Sequence, residues 1–487
     1  MFDELIFEYS SAKYEDKILL IDRDHLLENP DTLQIFRRNG FTVIQYKDDL
    51  DFRIHYEHDA KNSGNKIVVV GKHDQYIPYD IRKILRRCDI SYESLFPRLN
   101  ADVLREYPNL NLDYLVTAYR SSYDIAHSPL QTEQFLRVLV YTSQNIDVSI
   151  EKSYKELMLA AEKANTYQEW FRVAEDKAKI DVLTAKHNLS YDTSGINILF
   201  RDYILKEYGK LSGSVDSESP VLVSRAMDYM HDRSKRFVII VMDGMSEFDW
   251  HILSDAFHNI HYRKSSAFAM IPTVTSVSRQ CLLSNKFPKQ LLSPWNQSKE
   301  KQEFVECAKS LGYTDAQIAY DRGYDVEFAP SIRCAAIIIN EIDDMVHGEK
   351  QGRSGMLDSI SLMKKQGKLG EMIRRYIKAG FDVYISADHG NTPRKGMGKL
   401  LGTGLWTETK SHCMLVLKDF ADKEGLKQKY QLIDFPKTYL PAEYDYLICD
   451  VGDSFDVKDE VVMTHGGISI DEGIVPFIQI KAVYNNG

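Results

Sequence analysis

From residue 236 onward, five short runs of the chain are almost wholly apolar: RFVIIVM (236–242), CAAIIIN (334–340), FDVYISA (381–387), HCMLVL (412–417) and PFIQIK (476–481). Amphipathic segments separate most of them. A strand that is apolar along its whole length, rather than at alternate positions, must be covered on both faces. Such a chain is confined to an α/β sheet with helices on either side. The residues at the ends of the runs narrow the reading further. RFVIIVM leads into Asp243, CAAIIIN into Asp343, Asp344 and His347, and FDVYISA into Asp388, His389 and Gly390. In open α/β sheets, ligands bind beyond the carboxyl ends of the strands. Three strands that end in Asp, or in Asp with His, are expected to deliver those side chains to one place. His465, in THGGIS ahead of the last run, is a further candidate.

Upstream the pattern changes twice. DKILLID (16–22), FTVIQYK (41–47) and NKIVVVG (65–71) alternate with short helical stretches such as NPDTLQIFRRNG (29–40), which predicts a small parallel α/β unit. Asp22 and Asp24 follow its first strand and read as loop polars, with a Mg²⁺-holding pair as the sharper alternative. The next stretch is rich in Ala, Leu, Glu, Lys and Tyr and carries helical periodicity. LSGSVDSESP (211–220) reads as a loop or linker. The expected organisation is a small α/β domain over 1–105, a helical region over 106–230 and the acidic-ended sheet over 231–487.

Composition sets limits on function. With 44% hydrophobic and 27% charged residues, the chain suits a soluble globular protein. A net charge of −10 argues against sequence-blind coating of nucleic acid. The basic runs RKILRRC (82–88) and RRYIK (374–378) read as solvated helix faces. The six cysteines form no C-x-x-C pair, so a cysteine zinc site is not expected, and reduced core thiols suit the cytoplasm. MFDELIFEYS lacks the basic start and apolar core of a signal peptide. No run approaches the roughly 18 apolar residues of a membrane span. A cytoplasmic protein without membrane contact is expected.

Clustered buried carboxylates repel one another unless a cation compensates them. Asp together with His favours Zn²⁺ or Mn²⁺ over Ca²⁺. A reaction is suggested by AMIPTVTSVSRQCLLSN (269–285), where Thr273, Thr275, Ser276 and Ser278 precede an apolar helical run. A helix N-terminus offers free N–H groups and the positive end of the helix dipole, both of which attract phosphate. Arg279, one turn in, is expected to clamp an anionic oxygen. Alone this is a capped helix. Beside the carboxylates it reads as a hydroxyl nucleophile with its phosphate clamp.

The order of these motifs resembles the alkaline phosphatase superfamily. Within it, VMDGMS, PTVTSVSRQCLLS, IDDMVH, ADHGN and THGGIS with DEGIVPFI resemble the PglZ family. LLIDRDHLL, IPYDIRK and SLFPRLNADVL resemble the leader region of PglZ proteins of bacterial phage-exclusion (BREX) systems. The resemblance implies an alkaline-phosphatase-like, mostly parallel sheet flanked by helices, preceded by the small α/β domain and the helical region. It implies two divalent ions, Zn²⁺ foremost, with Mn²⁺ or Mg²⁺ as alternatives. One ion would be held by Asp243, Asp388, His389 and the nucleophile oxygen, the other by Asp343, His347 and His465. The superfamily's Asp–His spacing picks Asp343, although Asp344 beside it can exchange roles with it. The nucleophile is Thr275 or Thr273. Thr275 is picked because it precedes Arg279 as sulfatase nucleophiles precede an arginine, and precedes Ser284 at the nucleotide pyrophosphatase spacing. Val277 stands where sulfatases have Pro, and Thr275 cannot become a formylglycine, which argues against sulfatase chemistry.

The implied chemistry is in-line phosphoryl transfer through a phosphothreonine, with Arg279 and helix N–H groups on the equatorial oxygens. The implied substrate is a phosphate ester, with nucleotide or nucleic-acid diesters favoured, in phage defence. Other defence proteins are the expected partners, and a homo-oligomer is left open. Two alternatives stay open: a metal-bearing scaffold of a defence complex with little catalysis, and a monoester phosphatase or mutase-like enzyme. Lys410 and His412 are candidate substrate contacts, and PRKGMGKLLGTG (393–404) is a candidate flap.

Overall fold

A computed structural model describes the chain except for residues 29, 109, 123–126, 190, 258–259, 401–410, 419–421 and 483–487. The chain divides into two units, Met1–Ser153 and Tyr154–Gly487.

In the first unit, β1 (Lys17–Asp22), β2 (Thr42–Gln45), β3 (Ile67–Lys72) and β4 (Arg86–Ile90) form a wholly parallel sheet in the order β2-β3-β1-β4. The two central strands, β1 and β3, are the most apolar, as burial on both faces requires. The strand β4 was not expected, because its sequence RRCDI is polar. As an edge strand it keeps its arginines in solvent, with Arg86 paired to Glu15 and Arg87 to Asp89. The basic run 82–88 is therefore the end of the helix Tyr79–Ile84 followed by an edge strand, not one helix face. Asp22 accepts the N–H groups of Leu26 and Leu27, while Asp24 accepts that of Tyr92 and pairs with Arg105. Both are loop polars engaged within the protein.

The stretch between the two sheets is helical, with Leu112–Ser121, Pro129–Phe135, Ser143–Lys163, Tyr167–His187 and Ser194–Glu207. Local signals set the ends of Tyr167–His187. Thr166 and Glu169 form a reciprocal cap at its start, and Asn188 adopts the left-handed conformation at its end.

In the second unit, β5 (Phe237–Met242), β6 (Arg263–Phe268), β7 (Ile318–Arg322), β8 (Cys334–Ile339), β9 (Asp382–Ser386) and β10 (Ile474–Ile480) make one sheet in the order β6-β10-β9-β5-β8-β7. Strands β9, β5, β8 and β7 are parallel, and β10 runs antiparallel to both its neighbours. The architecture is thus an α/β, largely parallel sheet flanked by helices. Every residue of β5, β8 and β9 is buried. These are the three strands with acidic ends, and they are adjacent, so their carboxyl ends share one edge. Val241 pairs with Ser386 and Met242 with Ile339, and extending that register brings Asp243 level with Asp388.

Strands β6 and β7 were not expected. They are the two edges of the sheet, and RKSSAF and IAYDR are partly exposed, so neither reads as an apolar run. HCMLVL does form a strand, Met414–Leu417, but outside this sheet. It pairs antiparallel with Asp445–Ile448 over a separate core that includes Cys413, Leu415, Leu432, Leu447 and Cys449. The strand Thr392–Gly396 pairs with Val461–Thr464, so the first part of the expected flap is a strand, while 401–404 lie outside the described residues. All six cysteines are free, and no helix among the described residues is long and apolar enough to cross a membrane.

Candidate metal centre

Strand β5 ends at Asp243, which is buried. Gly244 follows with φ +75°, and Asp343 Oδ1 lies 3.3 Å from where its Cβ would stand. Only glycine turns this loop without strain while the carboxylate from the end of β8 packs on it. The loop is further fixed by Ser246, which caps the helix Glu247–Ser254 together with Asp249. The segment just after β9 supplies Asp388 and His389. The helix Glu341–Gly348, following β8, supplies Asp343 and His347, one turn apart on one face. His465 comes from the loop after Val461–Thr464.

These side chains fall into two groups. Asp243, Asp388 and His389 each bring one ligand atom within 4.8 Å of the others, and so do Asp343, His347 and His465. In the second group, His347 Nε2 is 3.3 Å from Asp343 Oδ2 and His465 Nε2 is 3.5 Å from Asp343 Oδ1. The groups adjoin, because the rings of His389 and His465 stack with centroids 4.1 Å apart. Asp344 is exposed and lines a neighbouring cavity instead.

The helix Thr275–Ser284 begins at the first group. Thr275 Oγ1 lies 3.1 Å from His389 Nε2 and 3.5 Å from Asp243 Oδ1. Thr273 is fully buried, and its hydroxyl donates to Glu472 Oε2 at 2.9 Å and accepts the N–H of Gly466 at 2.9 Å. Of the two threonines, Thr275 is the one whose hydroxyl reaches the cluster.

The electrostatics show what the clustering demands. Burial, and then the Asp243 charge beside it, pushes the Asp388 carboxyl up. Burial works against a charged His389, but the Asp388 and Asp243 carboxylates raise its pKa. Burial and His389 push His465 down to about 4. Burial favours a neutral Asp343, yet its hydrogen bond to His347 and the nearby imidazoles hold it below the usual carboxylate range. Asp388 Oδ2 and Asp343 Oδ1, one from each group, are buried without a hydrogen-bond partner. Such an atom costs on the order of 1–3 kcal/mol if left unsatisfied. A cation satisfies it, and a set of carboxylate oxygens and imidazole nitrogens suits Zn²⁺ or Mn²⁺. Each group can hold a divalent cation.

Residues 222–480, just over half of the chain, match the family described as the BREX system PglZ alkaline phosphatase-like domain. The chain belongs to the PglZ family. No curated protein matches it. Similar solved structures include murine ectonucleotide pyrophosphatase/phosphodiesterase 5, at 14% identity and TM-score 0.36, covering 50% of this chain and 88% of that one. Another is phosphonoacetate hydrolase from Sinorhizobium meliloti 1021 in complex with phosphonoacetate, at 10% identity and TM-score 0.31, covering 52% of this chain and 92% of that one.

Inside the PglZ segment the guanidinium of Arg279, expected to clamp an anionic oxygen of the substrate, is only 1% exposed and faces inward. Its Nη1 donates to Asp243 Oδ2 at 2.5 Å, its Nε to Glu300 Oε2 at 2.7 Å and its Nη2 to Gln297 Oε1 at 3.1 Å. Two buried carboxylates draw the cation between them, and Asp243 is thereby held from behind. Glu300 and Gln297 were missed by sequence reasoning. They lie at the start of a different helix and carry no spacing signal. Asn391 was missed although it stands in ADHGN. Its Nδ2 donates to Gly244 O at 2.9 Å and Asp249 Oδ2 at 2.7 Å, tying the ends of β5 and β9 together. His412 pairs with Asp456 at 2.7 Å, outside both groups, and Lys410 lies outside the described residues.

Proposed function

We propose that this PglZ protein is a two-metal phosphoryl-transfer hydrolase that uses Thr275 as nucleophile on nucleotide or nucleic-acid phosphodiesters in phage defence. The observation that carries the reading is the position of Thr275 Oγ1, 3.1 Å from His389 Nε2 and 3.5 Å from Asp243 Oδ1 at the first residue of a helix. Asp243, Asp388 and His389 would hold one ion with the Thr275 oxygen, and Asp343, His347 and His465 the other, with Zn²⁺ foremost and Mn²⁺ or Mg²⁺ as alternatives. When bound, such ions lower the pKa of a coordinated hydroxyl and offset charge on the attacking and leaving oxygens.

The chain's own residues supply orientation. Arg279 anchors Asp243 Oδ2, which leaves Oδ1 on the Thr275 side. His389 Nδ1 lies 3.0 Å from the Gly390 carbonyl, so it carries the proton and Nε2 presents its lone pair towards Thr275. With Arg279 turned inward, the N–H groups of Thr275 and Ser276 at the helix start are the chain's donors for the phosphoryl oxygens, since those of Val277 and Ser278 already donate to the Val274 carbonyl.

Preference for a diester rests on room for a second substituent. A cavity of about 300 Å³ lined by Arg322, Tyr324, Ile339, Asn340 and Asp344 flanks the start of the helix that carries Asp343. Its wall adjoins the first group, because the Ile339 carbonyl accepts the N–H of Asp243 at 2.9 Å. We place the protein in the cytoplasm, with other defence proteins as its partners.

The test is hydrolysis of bis-p-nitrophenyl phosphate against p-nitrophenyl phosphate with added Zn²⁺, Mn²⁺ or Mg²⁺, for the wild type and Thr275→Ala. Diester turnover that falls to background in the variant is expected. A preference for the monoester turns the reading to a phosphatase. Absence of turnover in protein that carries metal turns it to a scaffold.

A further inference from the structure

Among the buried acids to which the proposed chemistry gives no role, one stands close to the metal groups. Glu472, in DEGIVPFI, is fully buried, and both its oxygens are occupied. Oε2 accepts from Thr273 Oγ1 at 2.9 Å and from the Gly467 N–H at 2.8 Å. Oε1 accepts from the N–H and the hydroxyl of Ser469, each at 2.9 Å, and forms an ion pair with the buried Arg394. A carboxylate this deep needs a compensating charge, and Arg394 provides it.

The partners of Glu472 lead back to the metal groups. Thr273 hydrogen-bonds to it through the hydroxyl, and that same hydroxyl accepts the N–H of Gly466 at 2.9 Å. The carbonyl of Thr273 lies 2.9 Å from His465 Nδ1. A carbonyl only accepts, so Nδ1 carries the proton and His465 Nε2 is left as the lone-pair nitrogen, 3.5 Å from Asp343 Oδ1. His465, Gly466 and Gly467 are thus strung along one Thr273–Glu472 pair. The sequence of this loop answers to that role, since a Cβ on Gly467 would stand 2.2 Å from an Arg394 nitrogen. Thr273 also lies two positions before Thr275, so the pair ties the segment bearing Thr275 to the loop bearing His465.

We infer that Glu472 and the Thr273 hydroxyl are positioning residues that hold the Thr273 backbone, whose carbonyl fixes the tautomer and place of His465, and so set the affinity of the Asp343–His347–His465 group for its ion. This rests on the reading of those three residues as ligands. A partner that holds a ligating imidazole by its other nitrogen, here the Thr273 carbonyl, typically changes metal affinity about 10–100-fold when it is lost. Thr273 is then not a spare nucleophile. Its hydroxyl is an internal strut.

The test titrates Zn²⁺ into the full chain against a chromogenic chelator, with folding checked by circular dichroism. Thr273→Val keeps the side chain's shape and removes the hydroxyl, Thr273→Ser keeps the hydroxyl, and Glu472→Gln keeps the size. Asp343→Asn identifies which of the two binding events belongs to this group. The wild type is expected to bind two ions. Thr273→Val and Glu472→Gln are expected to weaken the Asp343 event about 10–100-fold and leave the other unchanged, with Thr273→Ser close to wild type. If Glu472→Gln does not fold, the two Thr273 variants decide. A folded Thr273→Val with both affinities intact overturns the inference, as does equal weakening of both events, or a Thr273→Ser as impaired as Thr273→Val. A wild type that binds no Zn²⁺ overturns the ligand reading itself, and the inference with it.

Discussion

The imidazole rings of His389 and His465 are stacked with their centroids 4.1 Å apart. One follows the end of β9 and the other precedes β10 by several residues, yet their contact joins two ligand groups into a single centre. Burial drives the pair together, and a cation held by each group would remove the cost of packing carboxylates behind them.

Removing metal should therefore destabilise the fold. Asp388 Oδ2 and Asp343 Oδ1 are buried without partners. An ion present at 100 times its Kd stabilises the native state by about 2.7 kcal/mol per site. Thermal unfolding with and without a chelator measures this. A lowered Tm that Zn²⁺ restores is expected, and an unchanged Tm contradicts it.

If Arg279 supports Asp243 and does not clamp substrate, its loss should act on stability. Arg279→Met leaves buried Asp243 and Glu300 without their shared counter-charge, and breaking such a pair costs about 3–5 kcal/mol. Denaturant unfolding should show that loss. A variant with native stability and a raised KM would restore the clamp.

Lys177 lies outside the family-matched stretch and is buried, with Nζ 2.7 Å from Asp181 Oδ2 and 2.8 Å from Asp471 Oδ1. Arg353 and the Thr392 hydroxyl also face Asp471. Burial opposes its charge, but Lys177 and Arg353 hold the Asp471 carboxyl below the usual range. A depressed carboxylate pKa contributes stability above the unfolded value, near 3.9, and loses it as pH falls through the folded value. Lys177→Met should cost about 3–5 kcal/mol at neutral pH. The gap to wild type should narrow below about pH 4. Denaturant midpoints across pH check this, and a gap that widens on acidification contradicts it.

The cavity lined by Asn340 and Asp344 should discriminate between substrates. Asn340→Ala removes a polar group from its wall. Losing one hydrogen bond of about 1.4 kcal/mol raises KM roughly tenfold. The rise should appear with a nucleotide-bearing diester and not with p-nitrophenyl phosphate. Equal effects on both substrates would detach the cavity from substrate binding.

The parts of this fold legible in the sequence are those where burial leaves a mark on every residue. Strands β5, β8 and β9 are apolar throughout because both their faces are covered, and their acidic ends stand out for the same reason. The edges β6 and β7 are half in solvent and look like loops. Met414–Leu417 is as buried as a central strand, but burial does not say against which core, so its place in a side sheet was invisible. Asp243, Asp343, Asp388 and His389 were legible by position after strands. The direction of Arg279 was not, because it depends on Glu300 and Gln297, which packing brings from another helix. Thr273 looked like a rival to Thr275 because a hydroxyl's role depends on what lies within about 3 Å of it.

The central claim is that the Thr275 oxygen attacks phosphorus. Acid quenching of the Zn²⁺-loaded protein during turnover of bis-p-nitrophenyl phosphate, followed by peptide mass spectrometry, addresses it directly. The predicted result is a p-nitrophenyl phosphate adduct on Thr275, with the adduct and the turnover both absent in Thr275→Ala. An adduct on another residue, or undiminished turnover in Thr275→Ala, contradicts the claim.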